Sequence, residues 1–375
     1  MKNHTVLGSM STETFLRTYW QKKPLLIRQA IPDMQPLLSR EALFELAAQD
    51  DVESRLISQT RTRWHMQHGP IISLPSTRKK QWTLLVQGVD LHDDQAANLL
   101  SQFRFIPDAR LDDLMISYAS DQGGVGAHFD SYDVFLLQAH GQRRWRIGAQ
   151  QDLTLKAGLP LKVLENFHPD QEFVLDPGDM LYLPPHYAHE GVAIGECMTY
   201  SIGFRAPSWQ ELGLALLQYK EDTLELAGRY TDRGLKPTHK PAHINDDLFE
   251  KISTQLKKIS FTNDDLHIFL GEYLSSPKSS VIFDAPARKV PSKKFVGMLQ
   301  KTGIKLQRKT RMLYRGKYLF VNGESFLVHG KDLVYMKSLA DQRFLNPEST
   351  VNASQDLIDS LNHWYNIGWL TALDN

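Results

Sequence analysis

The alternation of apolar and polar positions changes rhythm twice along the chain. At the start it is helical. Phe15, Tyr19 and Trp20 recur at turn spacing behind a Ser11 or Thr12 cap, and Pro24 closes the helix. Leu25-Leu26-Ile27 then reads as a buried strand, and Ser39 to Ala48 as a second capped helix carrying Leu43, Phe44 and Leu46. From Val52 to Pro207 short apolar runs alternate with Gly, Pro and Asp clusters. The runs are Trp82 to Val86, Leu114 to Tyr118, Val134 to Leu137, Arg144 to Ile147, Met180 to Leu183 and Met198 to Phe204. Asp176-Pro177-Gly178-Asp179 is a turn signal between two of them. Evenly spaced short strands predict an antiparallel sandwich or barrel.

After Pro207 the pattern is helical again. Helices are predicted over Ser208 to Tyr230, Asp246 to Ile259 and Asn263 to Leu274, the last with Asn263 as its cap. Their apolar faces need a cover, either the barrel or a second subunit. The C-terminal stretch is mixed. Helices over Ser292 to Lys301, Lys331 to Leu339 and Ser354 to Tyr365 surround two strands, Arg311 to Val328, that turn at Asn322-Gly323. That layout is winged-helix-like.

The chain has 375 residues, room for two or three domains. With 42% hydrophobic and 23% charged residues, wholesale disorder is excluded. Lys plus Arg and Asp plus Glu are 43 each, so the whole surface is no polyanion binder. One stretch differs. Between Lys278 and Lys317 there are twelve Lys or Arg and one acid, Asp284. Such a segment either grips nucleic acid, rRNA included, or is a solvated face. Cys197 stands alone, which excludes a disulfide scaffold and a thiolate zinc site, suits a reducing cytosol, and makes it a small apolar residue rather than a nucleophile. The first thirty residues hold no signal-peptide-like apolar stretch, and no apolar run is long enough to span a bilayer. The expectation is a cytoplasmic protein that does not enter a membrane.

The chemistry concentrates in Gly123-Gly124-Val125-Gly126-Ala127-His128-Phe129-Asp130. His128 and Asp130, two apart on an extended strand, project from one face and make half of a metal site. His189, in Pro184-Pro185-His186-Tyr187-Ala188-His189-Glu190-Gly191, is the candidate third ligand from a distant strand. Two His and one carboxylate leave coordination positions open, which suits non-haem Fe(II) oxygenases and not closed structural zinc. In Gly141-Gln142-Arg143-Arg144-Trp145-Arg146, read as the return arm of a hairpin, Arg143 shares a face with Trp145 and Ile147. That face points inward, so Arg143 needs an anion. A dicarboxylic co-substrate meets the need by a bidentate pair, and so would a protein Asp or Glu.

The order His128-x-Asp130, Gly141-x-Arg143-x-Trp145, Pro177-Gly178-Asp179, Pro184-Pro185 and His189-Glu190-Gly191 resembles the JmjC-type 2-oxoglutarate oxygenases of the cupin class, and among them the bacterial ribosomal oxygenases. Residues 112–117, 132–135 and 201–207, and the opening Tyr19-Trp20-Gln21-Lys22-Lys23-Pro24-Leu25, carry the same likeness. The likeness covers most of residues 11–207, and the remainder by layout only. It implies a mainly β chain with α, a double-stranded β-helix followed by a helical dimerisation segment and a winged-helix-like C-terminal domain. The boundaries would be 1–207, 208–275 and 276–375. Fe(II) would be held by His128, Asp130 and His189, the last chosen over His186 because the family's ligand directly precedes Glu-Gly. 2-Oxoglutarate would anchor on Arg143 and, with O2, be oxidised to succinate and carbon dioxide. The family's substrates are side chains of ribosomal proteins; for the bacterial members it is an arginine of large-subunit protein sixteen, hydroxylated at the β-carbon. A guanidinium needs acceptors and an apolar wall, for which Asp113, Met115, Tyr132 and Ser201 are the expected pocket. Core packing is the alternative for Met115 and Tyr132, and capping or ion pairing for Asp113. The resemblance also implies a homodimer through 208–275. Other readings are a cupin ligand sensor regulating transcription through its basic end, or an oxygenase of another protein or a small molecule.

Overall fold

A computed structural model describes residues 6–60, 63–350 and 353–373. Contacts divide it into two units. The first takes the chain up to Ala206, then Pro277–Thr310 and the stretch from Arg343 on; the second takes Pro207–Ser276 and Arg311–Gln342.

The first unit opens with α1 (Thr12–Thr18), β1 (Leu25–Ile27), α2 (Arg40–Ala47), β2 (Ser54–Gln59), β3 (Trp64–His68), β4 (Trp82–Val86) and α3 (Asp94–Ser101). β5 (Leu111–Ala119), β6 (Val134–Gly148), β7 (Gln171–Leu175), β8 (Met180–Leu183) and β9 (Ala188–Phe204) follow. The strands hydrogen-bond in the order β1-β8-β6-β9-β5-β4-β2-β3, with β7 beside β6. Ser11 and Ser39 cap α1 and α2 as their sequences predict. α1 ends at Thr18, and Gln21 takes a left-handed φ of 56°, so the helix stops before Pro24 is reached.

One expectation about connectivity is corrected. Val134 to Gly148 is a single strand, not two arms of a hairpin. It pairs with β9 from Val134↔Gly203 to Gly148↔Ala188, and the register slips around His140. Gly141, at φ 59°, makes a bulge there instead of a turn. A Cβ at 141 would lie 2.1 Å from the Glu196 carbonyl oxygen, so only glycine fits. The bulge bends β6 without reversing it, and Arg143, Trp145 and Ile147 still share one buried face.

The period of two divides the sheet into faces. Phe135, Leu137, Tyr182, Tyr200 and Ile202 pack into one core with Phe15, Leu43 and Trp82. Each large side chain so buried contributes about 1.5–3 kcal/mol. Val134, Leu136, Trp145, Ile147, Leu175 and Leu181 form a second, smaller core on the opposite, inner face. The polar positions of that inner face make the site described below.

The chain enters the second unit with α4 (Trp209–Thr223), α5 (Asp246–Leu256) and α6 (Asn263–Ser275), and returns to the first for α7 (Ser292–Thr302) and β10 (Ile304–Leu306). It goes back for β11 (Met312–Arg315), β12 (Tyr318–Val321), β13 (Glu324–Leu327) and α8 (Gly330–Gln342). β14 (Phe344–Leu345), α9 (Gln355–Asn366) and β15 (Leu370–Ala372) rejoin the first unit, where β10 pairs with both β14 and β15. Ser208 and Glu211 form a capping box on α4, which ends at Thr223 rather than Tyr230. The cap of α6 is Thr262, not Asn263, because Thr262 with Asp265 completes a second such box. Arg311 to Val328 holds three strands where two were expected. Gly316, at φ 60°, supplies a second tight turn besides Asn322-Gly323. No side chain of α4 or α5 is buried, and Trp209, Leu214, Leu217, Phe249 and Leu256 are exposed.

Candidate metal centre and acid-binding pocket

His128 and His189 come together through the backbone. Each peptide N–H donates to the other residue's carbonyl, at 2.9 and 2.8 Å, so the imidazoles lie side by side, tilted by 58° with centroids 4.2 Å apart. His128 Nδ1 lies 3.0 Å from the Gly126 carbonyl and His189 Nδ1 lies 2.9 Å from that of Tyr187. A carbonyl only accepts, so both rings carry the proton on Nδ1 and turn the Nε2 lone pair toward the third donor. That donor is Asp130, whose Oδ2 is 3.7 Å from His189 Nε2. One ligand atom from each of the three lies within 4.8 Å of the others, and among the described residues no other group of three does so. Burial, and next the neighbouring His128, push His189 down to about 4, so it is neutral and able to bind a metal near neutral pH.

His186 is exposed and outside this group, and its peptide N–H donates to the Asp130 carbonyl, which helps to hold the loop. Asp133 does more. It is fully buried and accepts from Tyr182 Oη at 2.7 Å, Gln21 Nε2 at 2.9 Å and Arg110 Nη2 at 3.2 Å. These three bonds pin the chain between Asp130 and β6 to β8, to the turn after α1 and to the residue before β5. Nothing in the spacing of the motif marked Asp133 for this work.

Arg143 reaches inward from β6 and is 3% exposed. Its Nη2 donates to the Gly191 carbonyl at 3.1 Å, its Nη1 sits 3.5 Å from Ser117 Oγ, and the guanidinium lies over Trp145, 5.0 Å from the ring centroid. Among the described residues Nε has no hydrogen-bond partner, and neither has the Trp145 indole N–H. Among the described residues no carboxylate meets this cation, so the protein salt bridge that the sequence left open is not made. Burial pulls the Arg143 pKa down, since the charge has lost water without gaining an anion. Gly191 makes the arrangement possible: a Cβ there would lie 2.5 Å from Arg143 Nε and 2.7 Å from the Trp145 ring. Gly191 is two residues from His189 on the same face of β9, about 6–7 Å along the strand. A five-carbon diacid spans that step, with one end at the metal donors and the other at the guanidinium. The donor set and the unsatisfied Arg143 therefore fit Fe(II) and 2-oxoglutarate.

Asp113, Met115 and Ser117 follow one another along the inner face of β5, and Met115 pairs with Ser201 across to β9. Asp113 is 3% exposed, Ser201 is buried and Met115 half-buried. Tyr132 is 41% exposed, and desolvation of its hydroxyl with Asp130, Asp113 and Asp112 near raises its pKa. The Asp113 carboxylate has internal partners. Gln87 Nε2 donates to both oxygens, at 3.0 and 2.8 Å, and Lys278 Nζ is 2.6 Å from Oδ2. The long separation in sequence hid Lys278, which the composition presented only as part of a basic run.

Fold and donor set define a JmjC-class protein. Residues 98–212 match the JmjC domain and residues 251–371 the ROXA-like winged helix. The chain belongs to the ribosomal oxygenases within that class. It is 32% identical over 347 residues to the ribosomal protein uL16 3-hydroxylase of Escherichia coli, covering 91% of this chain and 92% of that protein. The crystal structure of E. coli YcfD superposes with a TM-score of 0.86 at 30% identity, over 97% of this chain and 98% of that one. The structure of YcfD, a ribosomal oxygenase, in complex with cobalt and 2-oxoglutarate superposes at 0.83 and 29% identity, with the same coverage.

Proposed function

We propose that this chain is an Fe(II)- and 2-oxoglutarate-dependent hydroxylase that acts, in the cytoplasm, on the β-carbon of an arginine in large-subunit ribosomal protein uL16. The observation that carries the reading is the open His128–Asp130–His189 donor face with the unpaired Arg143 guanidinium a short step along the same wall. His128, Asp130 and His189 hold iron, and Arg143 takes the distal carboxylate of 2-oxoglutarate. When bound, iron and co-substrate supply with O2 the oxidation that converts one substrate C–H to C–OH, the co-substrate leaving as succinate and carbon dioxide.

The chain's residues supply position and dryness. Carbonyl-held imidazoles keep both nitrogen donors aimed before any metal arrives. Trp145, Ile147 and Leu136 exclude water from the inner wall. In the substrate pocket, Tyr132 stacks on the guanidinium, Met115 lines its stem, and Asp113 and Ser201 accept its hydrogens. Together they hold one C–H against the metal face.

Two further contacts belong to this reading. A second copy covers the exposed apolar faces of α4 and α5 within 208–275, making a homodimer. Segment 278–317 touches rRNA through the exposed Lys293, Lys294 and Lys301, since Arg308 and Lys309 are paired with Asp94 and Asp284. The proposed organisation is 1–207 for catalysis, 208–275 for dimerisation and 276–375 for the winged-helix-like part. Among the described residues no helix is long and apolar enough to cross a membrane.

The test is incubation of the protein with Fe(II), 2-oxoglutarate, ascorbate and air, on large ribosomal subunits from a strain lacking the enzyme. Intact mass spectrometry of every ribosomal protein then reads the outcome. A gain of one oxygen by uL16 alone, dependent on co-substrate, is expected. No gain in any protein would discard the ribosomal substrate.

A further inference from the structure

The Lys278–Asp113 pair lies where the proposed substrate cation should bind. Asp113 is a buried carboxylate at the end of the β5 face that continues through Met115 to Ser117 beside Arg143. Such a group needs a cation at all times, because an uncompensated buried charge is strongly destabilising. Gln87 supplies two hydrogen bonds but no charge; its own Oε1 is 3.3 Å from Arg55 Nη2. The charge comes from Lys278, with Nζ 2.6 Å from Asp113 Oδ2 and 3.9 Å from Asp112 Oδ1.

Two features make this cation exchangeable. Its side chain keeps 26% exposure, so water reaches it, whereas Asp113 is closed off. Lysine is also a point charge on a flexible stem, and a guanidinium can outbid it with a forked pair of donors. Lys278 further lines a cavity of about 530 Å³ together with Asp50, Asp51 and Glu53. None of those three carboxylates is ion-paired among the described residues. A displaced ammonium therefore has room and acceptors beside it.

We propose that Lys278 is an internal stand-in for the substrate's cationic side chain: it neutralises Asp113 in the free enzyme, an incoming guanidinium takes its place, and Lys278 swings into the adjoining acidic cavity. The proposal rests on the reading that the substrate is an arginine held by Asp113. Exchange of one cation for another never leaves the carboxylate bare, so the pocket stays folded when empty and still opens to the right ligand. A neutral side chain cannot make the exchange. Lys278 is in this sense a specificity-determining residue: its competition lowers the apparent affinity of a cationic side chain, while a neutral side chain, which cannot replace the ammonium, is kept off Asp113 altogether.

The test compares full-length wild type, Lys278→Met and Lys278→Arg. Each is assayed for KM and kcat with a peptide copying uL16 around the target arginine, for peptide Kd by fluorescence anisotropy, and for thermal midpoint. Removal of the competitor should lower KM and Kd about fivefold, and the forked arginine should raise both about fivefold, with the effect in KM rather than kcat. A purely structural tether predicts a lower midpoint for Lys278→Met with KM and Kd equal in all three proteins, which overturns the proposal. If Lys278→Met does not fold, Lys278→Arg decides alone: raised KM and Kd support the exchange, and unchanged values overturn it. Absence of peptide turnover by wild type sinks the arginine reading and the exchange with it. Turnover with invariant KM and Kd sinks the exchange only.

Discussion

The inner wall of the barrel has a buried charge at each end, and the two ends treat it in opposite ways. At the deep end Arg143 is a buried cation with no carboxylate among the described residues against it. At the other end Asp113 is a buried anion already matched by Lys278. The first charge is held unsatisfied by packing: Gly191 and Trp145 clamp the guanidinium, and its carbonyl and hydroxyl partners carry no charge. The second is satisfied by a side chain on a distant segment. The contrast separates a place reserved for a ligand that is always needed from one kept neutral until a particular ligand arrives.

Mutation should widen or erase that contrast. The largest effect belongs to the donors both ends serve. His128→Ala or Asp130→Ala should abolish turnover and metal-dependent 2-oxoglutarate binding, read by calorimetry; full activity in either would remove the metal assignment. Arg143→Met comes next. Loss of charge-assisted hydrogen bonds worth about 1.5–3 kcal/mol predicts a KM for 2-oxoglutarate roughly 10–150-fold higher. The same variant should raise the thermal midpoint of the ligand-free protein by about 2–4 °C, since an uncompensated buried charge disappears. Lys278→Met should lower it, and if both variants shift it the same way the two ends are not opposites. Gly191→Ala sharpens the deep end alone. Its methyl would crowd Arg143 and Trp145 at a cost of about 1–3 kcal/mol, so 2-oxoglutarate affinity should fall while peptide Kd holds. The smallest shift is the fivefold change described for Lys278.

What could be read beforehand followed from periodicity. The two-residue repeat put Arg143, Trp145 and Ile147 on one face, and that parity survives in the fold; His128 and Asp130 do come together with His189, but from a loop held by a single bridge at His128 rather than from the extended strand expected for them. The route of β6 could not be read, because Gly141 serves a bulge as readily as a turn and only the facing Glu196 carbonyl decides between them. Asp133 and Lys278 were illegible for a different reason. Their partners are Tyr182, Gln21 and Arg110 for one and Asp113 for the other, contacts that span long stretches of chain and leave no local pattern. The cap of α6 was misassigned by one residue because Thr262 and Asn263 are both good caps, and Asp265 completes the box only with the first.

The path of the chain between the two units bears on how the protein is made. β10, α7, β14, α9 and β15 all belong with the barrel, yet each is reached only after the chain has left for the second unit at least once. During synthesis the barrel strands emerge long before Lys278, and Asp113 must wait with its charge uncovered. An N-terminal fragment ending near 207 would keep every metal donor and lack the cation that lets Asp113 stay buried. Translation order thus makes the pocket a late product of folding, finished by sequence that contributes nothing to the metal centre.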